Sequence, residues 1–188
     1  RASEEMVDRV ALLGDESKGF TGLFNAAGVV PVAAQTGNWA VDTDTNLIVG
    51  VLNQALLNVF NGTNTASIAD TLLLPWSKFN LLATRKMSEH SDMTVIQWFM
   101  ANNLYTVQTG QQLTLRGVRG LDTAGVGGTT RLVAYRNDPQ VLKLHMPMPH
   151  RFLPAWQSGP LRWDIPGVMR LGGLDVRLPK EVVYLDGI

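Results

Sequence analysis

Cysteine is missing from the 188 residues. Disulfide cross-links and thiolate chemistry are therefore excluded, and the absence fits a reducing compartment. A charge imbalance is missing too. Sixteen Lys and Arg balance sixteen Asp and Glu, with no long block of either sign. A strongly basic reader of nucleic acid would carry a positive stripe. No apolar run approaches the ~20 residues that span a bilayer, and no secretory signal pattern is visible. The chain opens at Arg1 without a methionine, so residues are expected upstream of it. Histidines number only three, too few for an extensive metal centre without cysteine. What is present suffices for one domain or two small lobes. A chain of this length buries roughly 70% of its unfolded surface and needs no covalent staples.

The hydrophobic spacing divides the chain into elements. In "RASEEMVDRVALL", Met6, Val10 and Leu13 share a helical face with Val7 and Ala11 beside them. This reads as the end of an amphipathic helix, begun abruptly and stopped by Gly14. Residues 20 to 40 read as loop and short extended pieces. A long helix follows, capped by Asp42 or Thr43 and ended by Gly62. Leu47, Ile48, Val51, Leu52, Ala55, Leu56, Val59 and Phe60 form its apolar stripe. "TLLL" is a short buried strand, and Pro75 opens a second helix. A third helix is entered at Ser91 or Asp92. "QQLTLRGV" and "TRLVAYR" alternate as strands do. Between them "RGLDTAGVGGTT" holds four glycines in twelve residues and is expected to be mobile. Pro147, Pro149 and Pro154 break the next extended stretch and place it at sheet edges. Short strands at "VMRLGGLDVRL" and "EVVYL" close the chain. Helices segregated from strands make this an α+β protein.

Three stretches invite a chemical reading. "GDESKGFTG" (residues 14–22) nearly matches the phosphate-binding loop, but Phe20 stands where the lysine must be, and a helix rather than a strand precedes it. The glycines are read as serving a chain reversal. "SEHSD" (Ser88, Glu89, His90, Ser91, Asp92) holds the residue types of a hydrolase triad. Triads, however, are assembled through space from distant segments, and five neighbours in one turn cannot easily converge. No G-x-S-x-G elbow occurs. His145 and His150 are five apart in an extended stretch and point to opposite faces, so no metal site is assigned. No cofactor, small-molecule substrate or catalytic residue emerges. The five tryptophans, Trp39, Trp76, Trp98, Trp156 and Trp163, read mostly as core or inter-lobe packing, with some available for subunit contacts.

The order of the pieces resembles the major capsid proteins of tailed phages with the Hong Kong 97-type fold. The resemblance rests on "ALLGD", "GLFN" and "GVVP", then the helix from Asp44 to Asn61, "LLLPWSKFNLLATRK", "SDMTVIQWFMANN", and the terminal "GGLDVRLPKEVVYLDGI". In detail, "LLLP", "SDMTV" and "HMPMP" are similar to a prophage group known only as a domain of unknown function. The resemblance implies a peripheral lobe from residues 1–40 and 141–188 and an axial lobe from 41–140. It implies a shell subunit that packs with copies of itself as pentamers and hexamers, encloses DNA non-specifically, sits in the virion and assembles in the bacterial cytoplasm. It implies no membrane and no enzymatic activity. The tip of the axial lobe falls on the glycine loop, so Gly120, Leu121, Asp122, Gly125, Val126, Gly127 and Gly128 are the candidate subunit contacts. The family's N-terminal arm, extended hairpin and most of its spine helix are missing here, so the 188 residues alone are not expected to close a shell. The rivals are an encapsulin-type compartment shell and a small hydrolase using His90.

Overall fold

The computed structural model describes residues 2–39 and 43–188. Helix α1 (Ala2–Leu12) ends where expected, and Val10 is its buried residue. The chain then reverses at Gly14, which has φ +82°. A Cβ at Gly14 would lie 2.3 Å from the Phe20 carbonyl oxygen, so only glycine fits. Strands β1 (Gly14–Asp15) and β2 (Phe20–Thr21) pair antiparallel around a single 3-10 turn. The Asp15 carboxylate accepts the Ser17 N–H at 3.1 Å and the Ser17 hydroxyl at 2.6 Å. "GDESKGFTG" is thus a small hairpin, and its turn is filled by its own side chains.

Strand β3 (Pro31–Ala33) precedes helix α2 (Thr45–Gly62). The cap of α2 is Asp44, whose carboxylate accepts the Asn46 N–H at 3.0 Å. This corrects the expected cap at Asp42 or Thr43; Asp42 lies outside the described residues. Ile48, Leu52, Ala55, Leu56 and Val59 are fully buried, but Leu47 is 55% exposed and leaves the stripe. Strand β4 (Thr71–Pro75) is buried along its whole length and runs straight into α3 (Trp76–Thr84). Helix α4 (Val95–Asn102) starts at Thr94, not at Ser91 or Asp92. Thr94 and Gln97 exchange side-chain-to-backbone hydrogen bonds at 3.3 and 3.2 Å, a capping box. Helix α5 (Leu104–Thr109) follows after the cap Asn103 and was not expected.

Strands β5 (Thr114–Val118) and β6 (Arg131–Tyr135) flank β4 in the main sheet. The next strands nest as one long antiparallel hairpin. Its base pairs β7 (Leu142–Leu144) with β12 (Leu174–Val176). Its shaft pairs β8 (Met148–Phe152) with β11 (Gly167–Arg170), and its tip pairs β9 (Trp156–Gly159) with β10 (Arg162–Asp164). Each pairing is two-stranded, so every strand is an edge and the prolines are tolerated. Strand β13 (Val182–Asp186) returns to the main sheet, whose order is β3-β13-β6-β4-β5.

Strand alternation gives this sheet two buried faces. Leu72, Leu74, Leu132, Ala134 and Leu185 meet α2, α3 and α4 on one side. Leu73, Val133, Val182 and Tyr184 meet Leu23, Phe24, Leu121 and Val141 on the other. Each fully buried leucine contributes about 1.5–3 kcal/mol. The sheet crosses the lobe limits expected at residues 40 and 141. Strands β3 and β13 lie beyond those limits, yet β13 pairs with β6 over five registered residues from Val182↔Tyr135 to Asp186↔Arg131.

Candidate functional site

The glycine loop is rooted on the second face of the sheet. Leu121 is fully buried there and its carbonyl accepts the Arg131 N–H at 2.9 Å. Asp122 accepts the Ser77 hydroxyl at 2.8 Å. The Gly125 N–H donates to the Thr129 carbonyl at 2.8 Å, and the Gly128 N–H to the Gly125 carbonyl at 3.0 Å. The loop expected to be mobile is therefore hydrogen-bonded within itself and at both ends. Its glycines serve this closure, with φ of +90°, +70° and +78° at Gly120, Gly127 and Gly128.

One buried ion pair organises the anchorage. Arg131 and Asp186 face each other across β6 and β13, 6% and 8% exposed. The guanidinium donates from Nε to Oδ1 at 2.6 Å and from Nη2 to Oδ2 at 2.7 Å, a fork matching a carboxylate. Its Nη1 donates to the Phe24 carbonyl at 2.5 Å, and its Cζ lies over the Tyr184 ring, 4.5 Å from the ring centre. The Tyr184 hydroxyl donates to the Leu23 carbonyl at 2.6 Å and accepts the Ala26 N–H at 3.0 Å. Burial pushes the Tyr184 phenol above its usual range. Asp186 also accepts the Val126 N–H at 2.9 Å. The "GLFNA" segment, the sheet and the glycine loop thus converge on the Arg131–Asp186 pair and the Tyr184 beside it.

Of the residues named from sequence, Leu121 and Gly125 are buried and Gly120 is half-buried. They hold the loop up. Asp122, Val126, Gly127 and Gly128 face outward, and Val126 is 67% exposed.

A second outward surface was not legible as such. Trp39 is buried and Trp98 half-buried, but Trp76, Trp156 and Trp163 are 52%, 60% and 61% exposed. The expectation of mostly internal tryptophans is corrected by these three. Trp156 and Trp163 sit on the hairpin tip with Phe152, Leu161 and Ile165, all large and exposed. Trp163 lies opposite Gln157 and Trp156 opposite Asp164, so the two indoles belong to neighbouring registers and opposite faces of the ribbon. A two-stranded ribbon has no core of its own to hide them.

The stretches tested for chemistry lie elsewhere. Ser88 to Asp92 occupy one surface turn, where the Ser91 hydroxyl accepts the Met93 N–H at 3.2 Å and Lys86 pairs with Asp92 at 3.5 Å. His145 stands outside the strands, 3.8 Å from the Asp175 carboxylate. His150 lies edge-on to Phe152, 4.8 Å between ring centres. Among the described residues no group of three or more His, Asp or Glu is placed to hold a metal ion, and no helix is long and apolar enough to cross a membrane.

Comparison with known proteins decides between these readings. The family model described as major capsid protein matches residues 1–188. The chain belongs to the major capsid protein family. The fold agrees with that membership. The capsid of the Myoviridae phage XM1 superposes with a TM-score of 0.82 at 20% identity, covering 100% of this chain and 62% of that one. A virus-like particle from Pyrococcus furiosus superposes with a TM-score of 0.55 at 14% identity, covering 96% of this chain and 63% of that one. At these identities the likeness is one of fold. The chain spans less than two thirds of the length of either. A search of curated proteins finds no match.

Proposed function

We propose that the chain is a shell subunit of a tailed phage or prophage, built on the Hong Kong 97-type fold. The observation that carries this is the capsid family match over the whole chain. The ribbon supports it, because large apolar side chains exposed on both of its faces mark places that another molecule covers. Copies of the chain pack as pentamers and hexamers, with the outward residues Asp122, Val126, Gly127 and Gly128 directed at a neighbour near the axis. The two lobes are best drawn along the topology: the body around the five-stranded sheet is axial, and α1 with the nested hairpin is peripheral. Packaged DNA is enclosed without sequence-specific contacts, consistent with balanced charge. The role is structural, in the virion, with assembly in the host cytoplasm.

The phage reading is preferred over a cellular compartment shell because the family model that matches the whole chain is that of major capsid proteins. A hydrolase centred on His90 is not favoured, since its would-be partners are all neighbours in one exposed turn. Electron microscopy of the protein expressed from its complete gene tests the proposal. Closed particles of uniform diameter are expected. A protein that stays monomeric at every concentration refutes it.

A further inference from the structure

Helices α2, α4 and α5 contain no charged residue. No Asp, Glu, Lys or Arg occurs between Asp44 and Asp70, or between Asp92 and Arg116, in a chain that is 17% charged overall. Surface helices normally present charged residues to water. Here the outer side of α2 offers Leu47, Gly50, Gln54 and Leu57 instead, and α5 offers Val107, which is 74% exposed. Between α2 and α5 runs a groove of about 420 Å³ lined by Gly50, Asn53, Gln54, Leu57, Leu104 and Val107. Asn102 and Asn103 line it too, and their amides donate to the Trp98 and Phe99 carbonyls at 3.0 and 2.9 Å. Asn53 accepts the Leu104 N–H at 3.2 Å, and Gln54 donates to Asn58 at 2.7 Å. Gly50 is unexplained within the chain. It lies inside a helix where glycine costs about 1 kcal/mol against alanine, and a Cβ there would meet nothing within 4 Å.

Charge depletion with exposed apolar side chains is what distinguishes the centre of a protein interface from ordinary surface. The glycine loop has the same neutrality. From Thr123 to Thr130 it carries no charge, and Val126 stands out between glycines as a narrow apolar knob. The two features lie on opposite sides of the sheet. Helix α2 covers the face of Leu72 and Leu132, whereas the loop is rooted on the face of Leu73 and Val133. Knob and groove on opposite sides of one subunit cannot meet within it, but they meet between copies arranged head to tail around a rotation axis.

We propose that the groove between α2 and α5 is the receiving half of a head-to-tail contact between copies of this chain, and that the Val126 loop of the next copy is the inserting half. This rests on the reading of the loop as a subunit contact. Gly50 is then a small residue that lets the neighbour's backbone approach closely.

The 188 residues hold no cysteine, so introduced thiols report on chosen positions once any cysteine elsewhere in the complete protein is replaced by serine. In assembled protein from the complete gene, Val126→Cys combined with Leu57→Cys or Val107→Cys is treated with a short bis-maleimide. Cross-linked ladders that need both cysteines are expected. Cross-linking of Val126→Cys to itself, with none to the groove, overturns the groove while keeping the loop as a contact. Assembled shells in which Val126→Cys links to nothing overturn both. Gly50→Glu gives the second arm. The monomer should fold with unchanged or raised melting temperature, since the side chain points into open space, while assembly falls at least tenfold. Parent-like assembly of Gly50→Glu refutes the proposal.

Discussion

Removing the Asp186 carboxylate should be among the most damaging single changes in the chain. Asp186→Ala leaves the Arg131 guanidinium at 6% exposure with only the Phe24 carbonyl and the Tyr184 ring for company. It also orphans the Val126 N–H that now donates to Oδ2. Breaking a buried pair by deleting one partner costs about 3–5 kcal/mol, because the remaining charge stays desolvated. A domain holds roughly 5–15 kcal/mol in total, so a fifth or more is at stake. At about 2–4 °C per kcal/mol for this size, the melting temperature should fall by about 10 °C. Urea unfolding followed by tryptophan fluorescence measures the loss. The double variant Arg131→Met with Asp186→Leu separates charge from shape. Replacing both partners by apolar groups is often neutral, so it should recover most of the stability lost by either single change. Amide exchange at Val126 should speed up in both cases, because its acceptor is gone. A loss under about 1 kcal/mol for Asp186→Ala, where buried-pair deletions cost several, would refute this account. So would a double variant no better than the worse single one.

Tyr184 makes stability pH-dependent at the alkaline end. Burial holds its folded pKa above the ordinary 10.0, so its contribution is complete below pH 10 and is lost as pH rises through the folded value; Tyr184→Phe should make stability less dependent on pH above about 10 than it is in the parent. Leu121→Ala should cost about 2–5 kcal/mol by cavity formation, measured in urea, although sequence alone marks it as a loop residue. Trp156→Ser with Trp163→Ser should leave the melting temperature within about 2 °C, since changes at exposed sites stay near ±0.5 kcal/mol, yet abolish assembly in light scattering; full assembly of that variant would remove the ribbon from the contact surface.

Elements with strong spacing were legible because burial enforces the pattern. Helix α2 needs an apolar residue at nearly every inward position, and Ile48, Leu52, Leu56 and Val59 supply it. Its cap was misplaced because Thr43 and Asp44 are equally able by chemistry, and only backbone geometry chooses Asp44. The same ambiguity among Ser91, Asp92 and Thr94 had a resolving signal in Gln97, three residues after Thr94, which completes the capping box. Helix α5 is six residues of "LYTVQT", too short for a 3.6-residue period to emerge. The strands from 142 to 176 were visible as extended pieces, but their nesting depends on pairings up to 34 residues apart, such as Leu142 with Val176.

The candidate site was legible only in part, for a reason that lies in the kind of function. A catalytic centre must converge on reacting atoms and so restricts residue types, which is why triads and metal sites leave signatures. An assembly surface needs only neutrality, shape and apolar area. The glycine loop was visible through composition, but half of it turned inward: Leu121 and Gly125 are buried to hold Val126 out. The carboxylate that sets this posture, Asp186, is 60 residues from Val126 and belongs to no motif. The groove had a signal that a motif search passes over, the run of uncharged residues from 93 to 115 beside a helix with no charge of its own. Residues 19–41 are equally free of charge, so a gap alone is no signal; a gap that also exposes Leu47, Leu57 and Val107 points to a face that water does not see in the proposed assembly.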